Sequence, residues 1–490
     1  MAYVDNHPDF DKFQPIWKKC KDVIEGEDAL KQADRNKQGT YLRPLNPSDK
    51  SAYNVARNKS YINMARFQNY TAKTEAGWLG MAFRLPPTIE NIPSEIEYLA
   101  QDADGSWLSL EQQSRNTLKH IIDFGRCGLL TDMPAFEGQA TRADVENGYR
   151  ANIKLYSADS IRDWSPENPN RFDPLSFVKL RETFVYWGKD GDPTKKGNGE
   201  RFLILKLVDG VYVQEVWEKR EEDEEHILIK EIYPRRSNGS TFDYIPFDFV
   251  GSLNNTPKVD KPMVLDLANA NLGMYQEDAN LRISSFGFSA VTPHIADDQY
   301  FQRHNMVGED GEEQTVEFGE DSLIITGSGG AFNLVAPPEN PLAQRIKESD
   351  RQDLIGLGAQ VIVPGGGAET AEAVRIKKGD SASLLSIAVQ NVSNAYMSQL
   401  ENVAEFMGAT IANDTVIALN EDFFYEDLTP EMARELVATW QNGVISKDVL
   451  DQKLVKGGII PSGTDLEIMN GALETELDTI PTDSDLNNVG

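Results

Sequence analysis

The sequence predicts an α+β fold drawn out into several lobes, and three observations carry that expectation. Hydrophobic residues make up 40% of the 490-residue chain, below the ~45–50% usual in globular domains, so a single globule would be short of core and an elongated subunit fits better. Four β-rich runs gather between residues 150 and 250, and apolar positions at helical spacing fill the segments on either side. Pro86-Pro87, Pro337-Pro338 and Gly365-Gly366-Gly367 punctuate these blocks.

Residues 1–41 are polar and mixed in charge and read as an N-terminal arm with a short helix around Phe13–Ile24. From Pro47 to Thr131 the pattern is mainly helical. A first helix over Ser51–Tyr70 carries Tyr53, Ala56, Ile62, Ala65 and Phe67, with a break at Gly77 and a stop at Pro86-Pro87. A second, over Leu110–Phe124, spaces Leu110, Leu118, Ile121 and Ile122 helically and gives way to a turn and a short strand through Met133. The β-rich runs are Phe184–Trp187, Phe202–Val208, Val211–Trp217 and Ile227–Tyr233, with Asp209-Gly210 as a hairpin turn. The spacing predicts an antiparallel meander closed by Phe242–Val250. The acidic run Glu221–Glu225 reads as a solvated turn.

Beyond residue 260 helices return. Leu265, Ala268, Leu272, Tyr275 and Ala279 are spaced 3, 4, 3, 4, the seam of a helix packing on a helix. Val264–Phe286 would make a rod of roughly 34 Å. Residues 291–338 are β-like, with short runs at Ser322–Thr326 and Phe332–Val335, and a charged helix Pro341–Leu357 follows. Val361-Ile362-Val363 runs into Pro364-Gly365-Gly366-Gly367-Ala368, a flexible kink, and a long helix extends from Glu369 to Met407 with Gly408 as its cap. Thr415–Leu419 reads as a strand. Thr429-Pro430 and Ser446 open two further helices, and the acidic residues after 478 read as a disordered tail.

Charge and motifs exclude more than they include. With 48 basic and 78 acidic residues the formal charge is -30, which works against tight binding of phosphates. Cys20 and Cys127 form no C-x-x-C pair, so a reducing compartment is expected. The N-terminus lacks a basic stretch followed by an apolar one, and no window approaches ~18 apolar residues, so a soluble protein made in the cytoplasm is expected, with no membrane partner. No G-x-x-x-x-G-K-[ST], G-x-G-x-x-G, H-E-x-x-H or G-x-S-x-G motif occurs, and the five histidines are scattered. Neither catalytic residues, nor a metal site, nor a cofactor is expected. Acidic pairs such as Asp297-Asp298 and Glu309-Asp310 are too common here to single out a site. Arg375, Lys377 and Lys378 lie early in the long helix, where the macrodipole disfavours cations. A solvated turn explains them, and phosphate-facing residues are the sharper alternative.

Three local sequences carry a resemblance. Ile245-Pro246-Phe247-Asp248-Phe249-Val250-Gly251, followed by Pro262-Met263-Val264-Leu265-Asp266-Leu267-Ala268-Asn269-Ala270-Asn271, is one. Thr370-Ala371-Glu372-Ala373 and Trp440-Gln441-Asn442-Gly443-Val444-Ile445-Ser446 are the others. With the order of elements over residues 45–460, they resemble the portal proteins of tailed bacteriophages, the head-to-tail connector ring subunits. The resemblance implies a wing (42–260), a first stem helix (261–290), a β-rich clip (291–338) and a second stem helix (339–358). A tunnel loop (359–368), a long helix returning to the wing (369–425), a helical crown (426–478) and an acidic tail (479–490) complete it.

It further implies a homo-oligomeric ring, with twelve copies at one capsid vertex of the virion, assembled in the host cytoplasm. Double-stranded DNA would pass through non-specifically during packaging and ejection. The partners implied are the terminase, head-completion (adaptor) and tail proteins, and the major capsid and scaffolding proteins. Val363, Pro364, Gly365, Gly366, Gly367 and Ala368, flanked by Glu369, would approach the DNA, and the 3-4 seam would join stem helices of neighbouring subunits. Twelve copies would carry about -360 formal charge before screening, and a net negative channel is expected. The alternatives are another virion structural protein (a capsid or connector component) and a carboxylate-dependent hydrolase.

Overall fold

Phe10, Trp17 and Val23 recur at intervals close to two helical turns. In the computed structural model of the chain they lie buried along one face of helix α1 (Pro8–Glu25), whose N-cap His7 accepts the Asp9 amide at 3.1 Å. Gly26 links it to α2 (Glu27–Asn36), which buries Leu30. The helix expected around Phe13–Ile24 falls inside α1, and the stretch read as an N-terminal arm packs as two helices, because a narrow apolar stripe lies hidden in a polar composition. The structure describes residues 5–134, 149–165, 175–187, 196–221, 223–289, 294–296, 324–326, 341–357, 371–421, 423, 430–460, 464, 466 and 469–471. Its fold is mixed α+β and divides into two units, residues 1–79 with 89–418 and residues 80–88 with 419–490.

The helix expected over Ser51–Tyr70 ends at Met64, and a second helix starts at Tyr70. Ser51 caps α3 (Ala52–Met64) by accepting the Asn54 amide, and Asn69 caps α4 (Tyr70–Ala82) through the Ala72 amide at 2.9 Å. Gly77 lies inside α4, so the expected break there is also corrected. After β1 (Thr88–Glu90), helix α5 (Leu110–Phe124) matches its expected bounds. A reciprocal capping box of Ser109 and Gln112 starts it. Gly125 ends it at φ +76, where a Cβ would lie 2.3 Å from the Asp260 carbonyl oxygen.

Strand β2 (Arg126–Asp132) leaves that cap and becomes the middle of a three-stranded antiparallel sheet, with β3 (Asn152–Ser157) on one side. Strands β4 (Ile161–Ser165), β5 (Phe177–Trp187), β6 (Lys196–Val208), β7 (Val211–Arg220) and β8 (Ile227–Ile232) form a five-stranded antiparallel sheet in chain order. Asp209 and Gly210 turn β6 into β7 at φ +50 and +76, the positive-φ hairpin that their sequence predicts. Strand β9 (Phe247–Gly251) does not close this meander as expected. It pairs antiparallel with β2, because Gly128 makes a seat for the Phe247 ring, which would lie 2.2 Å from any Cβ there.

Helix α6 (Leu265–Ser289) follows, then β10 (His294–Ala296) and β11 (Ile324–Thr326), which pair in parallel, and α7 (Pro341–Gly356). Helix α8 (Ala371–Met407) packs on α5, β2 and β9 and ends at Gly408, φ +76. Strand β12 (Val416–Ala418) pairs with β1. In the second unit α9 (Pro430–Gln441) turns at Gly443, φ +71, towards α10 (Lys447–Lys456), which Ser446 caps. Among the described residues no helix is long and apolar enough to cross a membrane.

Candidate functional site

The paired helices and the long helix are where the sequence points, and α6 organises them. Of the expected inter-subunit seam, Ala268, Leu272, Tyr275 and Ala279 are buried within the chain and Leu265 is half-buried. They pack against Val23, Leu30, Tyr61 and Phe67 from α1, α2, α3 and the α3–α4 joint, with Phe67 edge-on to Tyr275 at 5.7 Å. A 3-4 seam records that a helix is covered, whichever chain covers it. Here the chain's own helices fill it, so the seam is not open to another molecule.

Beside that seam runs a polar row. Asn271 Oδ1 accepts the amides of Tyr70 at 3.0 Å and Thr71 at 3.2 Å, while its Nδ2 donates to the Gln68 carbonyl at 2.9 Å. Two turns on, Asp278 accepts the Arg66 amide at 3.2 Å, Lys347 Nζ at 2.7 Å and Arg282 Nε. Glu27 takes the Phe67 amide at 2.9 Å. The backbone of the α3–α4 joint, which has no helical partners, is thus satisfied largely by side chains of α6 and α2. Burial alone would raise the Asp278 carboxyl, but hydrogen bonds from Arg282 and Lys347 outweigh it and hold it below the usual carboxylate range.

Lys347 also ties α7 to α6, with the buried Leu354 further along α7. A Cβ on Gly273 of α6 would come 3.2 Å from Asp350 Oδ2 on α7. This close approach gives the glycine inside the rod a packing reason despite its cost in a helix. The Asp350 carboxyl is pushed up by burial and by the charge of Asp353.

Helix α8 is fastened by a buried polar ladder. Asn391 Nδ2 donates to the Gly251 carbonyl at 2.9 Å, Tyr396 Oη and Thr117 Oγ1 are 2.9 Å apart, and Gln399 bridges Thr131 (2.8 Å) and Asp248 (2.7 Å). Arg375, Lys377 and Lys378 fall in its second turn. Val363, Pro364, Gly365, Gly366, Gly367, Ala368 and Glu369 lie outside the described residues, as do residues 297–323, 327–340 and 472–490.

Elsewhere the titratable groups read as structural. Burial pushes the Cys20 thiol up to about 12 and raises Cys127 further, which leaves neither a thiolate at neutral pH. Burial and the neighbouring Lys119 charge lower His120 to about 4. Among the described residues no group of three or more His, Cys, Asp or Glu is placed to hold a metal ion. Two features escaped the sequence. Arg126 is fully buried between the rings of Trp164 and Phe249, each 4.3 Å away, and none of its guanidinium nitrogens has a hydrogen-bond partner. Burial draws it down to about 9, partly offset by Cys127, Asp260 and Asp9. No local pattern announces such a sandwich. The polar row did leave a signal: asparagines at 269 and 271 are poor helix formers set into an apolar helix.

A family model described as "Domain of unknown function (DUF4055)" matches residues 262–407. Those bounds run from just before α6 to the last residue of α8, so the matched region takes in the paired helices, the β10–β11 pair and the long helix. No curated protein matches the chain.

Removing the Asp278 carboxylate strands one backbone amide and two cations. Asp278→Ala is therefore expected to cost about 2–4 kcal/mol of unfolding free energy, measured by urea denaturation; a loss below about 0.5 kcal/mol would show that the joint stands without it. A second expectation concerns Asp123, on α5 beside Glu75 and Lys119. Burial first, and then the Glu75 charge, lift its carboxyl from the ordinary 3.8 to about 7 against the pull of Lys119. Over that window the folded form holds a proton that the unfolded chain has released, so stability falls as pH rises from about 4 to about 7. Asp123→Asn should flatten this slope in denaturation midpoints compared at about pH 4.5 and about pH 7. An unchanged slope counts against the assignment.

Proposed function

We propose that this chain is a portal-type ring subunit of a tailed bacteriophage. In this reading about twelve copies surround a channel at one capsid vertex, through which double-stranded DNA is packaged and later ejected. The observation that carries the reading is the order of elements. A rod helix (α6) leads to a short β excursion (β10 and β11) and to a second helix (α7) packed back along the first; the long helix α8 then anchors the lobe against β2 and β9. The family match over 262–407 spans this same series, which supports treating it as one evolutionary module.

The physical logic fits the series. Helices cross-braced by Lys347–Asp278 resist shear along their axis, which suits a wall past which a polymer slides. An acidic chain offers DNA phosphates little to grip, so DNA passes without being retained. The ring supplies shape, hydrolysis belongs to the terminase that docks on it, and head-completion and tail proteins take that place afterwards. The protein then resides in the virion.

Electron microscopy of the purified chain tests the proposal directly. A ring with a central hole and about twelvefold symmetry is expected. Particles of one or two subunits at high protein concentration would contradict it.

A further inference from the structure

The longest run of basic residues uninterrupted by an acid lies around α3. Between Asp49 and Glu75 stand Lys50, Arg57, Lys59, Arg66 and Lys73 with no acidic residue, although acidic residues outnumber basic ones 78 to 48 overall. All five are exposed. Lys50 stands just before α3, and Arg57 and Lys59 flank its buried stripe on either side, with Tyr53 at 58% exposure between them; among the described residues none of the three cations has an ion-pair partner. The helix presents them from a fixed base. On its buried side Asn54 donates to the carbonyls of Asn46 and Asp49 at 2.8 and 2.9 Å, and Asn58 accepts the Leu45 amide at 2.9 Å.

A complementary surface lies on the same chain. The sequence runs Glu221–Glu225 as five consecutive acids, and Glu221, Asp223, Glu224 and Glu225 lie between β7 and β8. Glu221, Glu224 and Glu225 are exposed there, and Lys219 Nζ bonds the Glu224 main-chain carbonyl at 2.7 Å. Two copies that each carry -30 repel one another, so a contact that joins local charges of opposite sign is favoured over one that joins like charges. A two-fold contact through α3 would set basic on basic. A head-to-tail contact of α3 on the acidic turn sets basic on acidic and repeats with every added copy, as a closed ring requires.

We propose that the exposed face of α3, through Lys50, Arg57 and Lys59, binds the acidic β7–β8 turn of a neighbouring copy of this chain. The contact rests on the ring reading above and supplies its electrostatic latch. Exposed ion pairs are screened by salt, so the contribution of this contact to the ring weakens as ionic strength rises.

Charge reversal on each side tests the contact, with folding checked by circular dichroism and assembly read by native mass spectrometry and electron microscopy. R57E/K59E and E221K/E224K are each expected to lower the ring fraction at least tenfold, and the four changes together to restore it. Rings at wild-type level in R57E/K59E would overturn the inference while leaving the ring reading intact. Loss in both double variants without rescue in the combined one would overturn the acidic turn as the partner. Wild-type-level rings in R57E/K59E together with weakened binding of a DNA duplex would assign the patch to DNA instead, and overturn the inference. Absence of rings in the wild-type protein would remove the ring reading itself, and the contact with it.

Discussion

Asn271 and Asp278 lie two turns apart on α6, and both give their side chains to the backbone where α3 becomes α4. A net hydrogen bond is worth only about 1 kcal/mol, but a buried amide left without an acceptor costs about 1–3 kcal/mol. The joint therefore tolerates few alternatives. Once its amides are committed to α6, the direction of α3 is set, and Tyr61, Ile62 and Phe67 reach the seam of Ala268, Tyr275 and Ala279. Helices α1 and α2 complete the same cluster through Val23 and Leu30. The rod that the sequence predicts is thus the axis on which the N-terminal helices pack.

That dependence explains which parts were legible in advance. Helix α5 could be read to the residue because its signals are local: a capping box at Ser109 and Gln112 and a glycine at 125. The β6–β7 hairpin rests on Asp209-Gly210, and the bounds of α6, α7 and α8 follow from apolar spacing, Pro341 and Gly408. What could not be read depends on partners distant in sequence. The break at residues 65–69 carries no glycine or proline and exists because Glu27, Asn271 and Asp278 accept its amides. Strand β9 joins β2 because Gly128 leaves space for Phe247, and α1 lost its apparent freedom once its stripe found α6. The candidate site divides the same way. The seam residues were identified as packing residues, but spacing alone could not say that their own chain covers them.

Charge is arranged with similar economy. Among the described residues, the buried Asp34 and Asp260 accept backbone amides, and Asp278 and Asp123 pair with lysine or arginine. Arg126 differs from them: a buried cation held between two ring faces rather than against an anion.

Hydrogen–deuterium exchange across residues 66–71 tests the central claim most directly. If α6 governs the fold of the N-terminal helices, the amides of Arg66, Phe67, Tyr70 and Thr71 exchange as slowly as those in the interior of α6, although they lie at a break between helices. Exchange there at the rate of an open loop, with α6 still protected, would contradict the account.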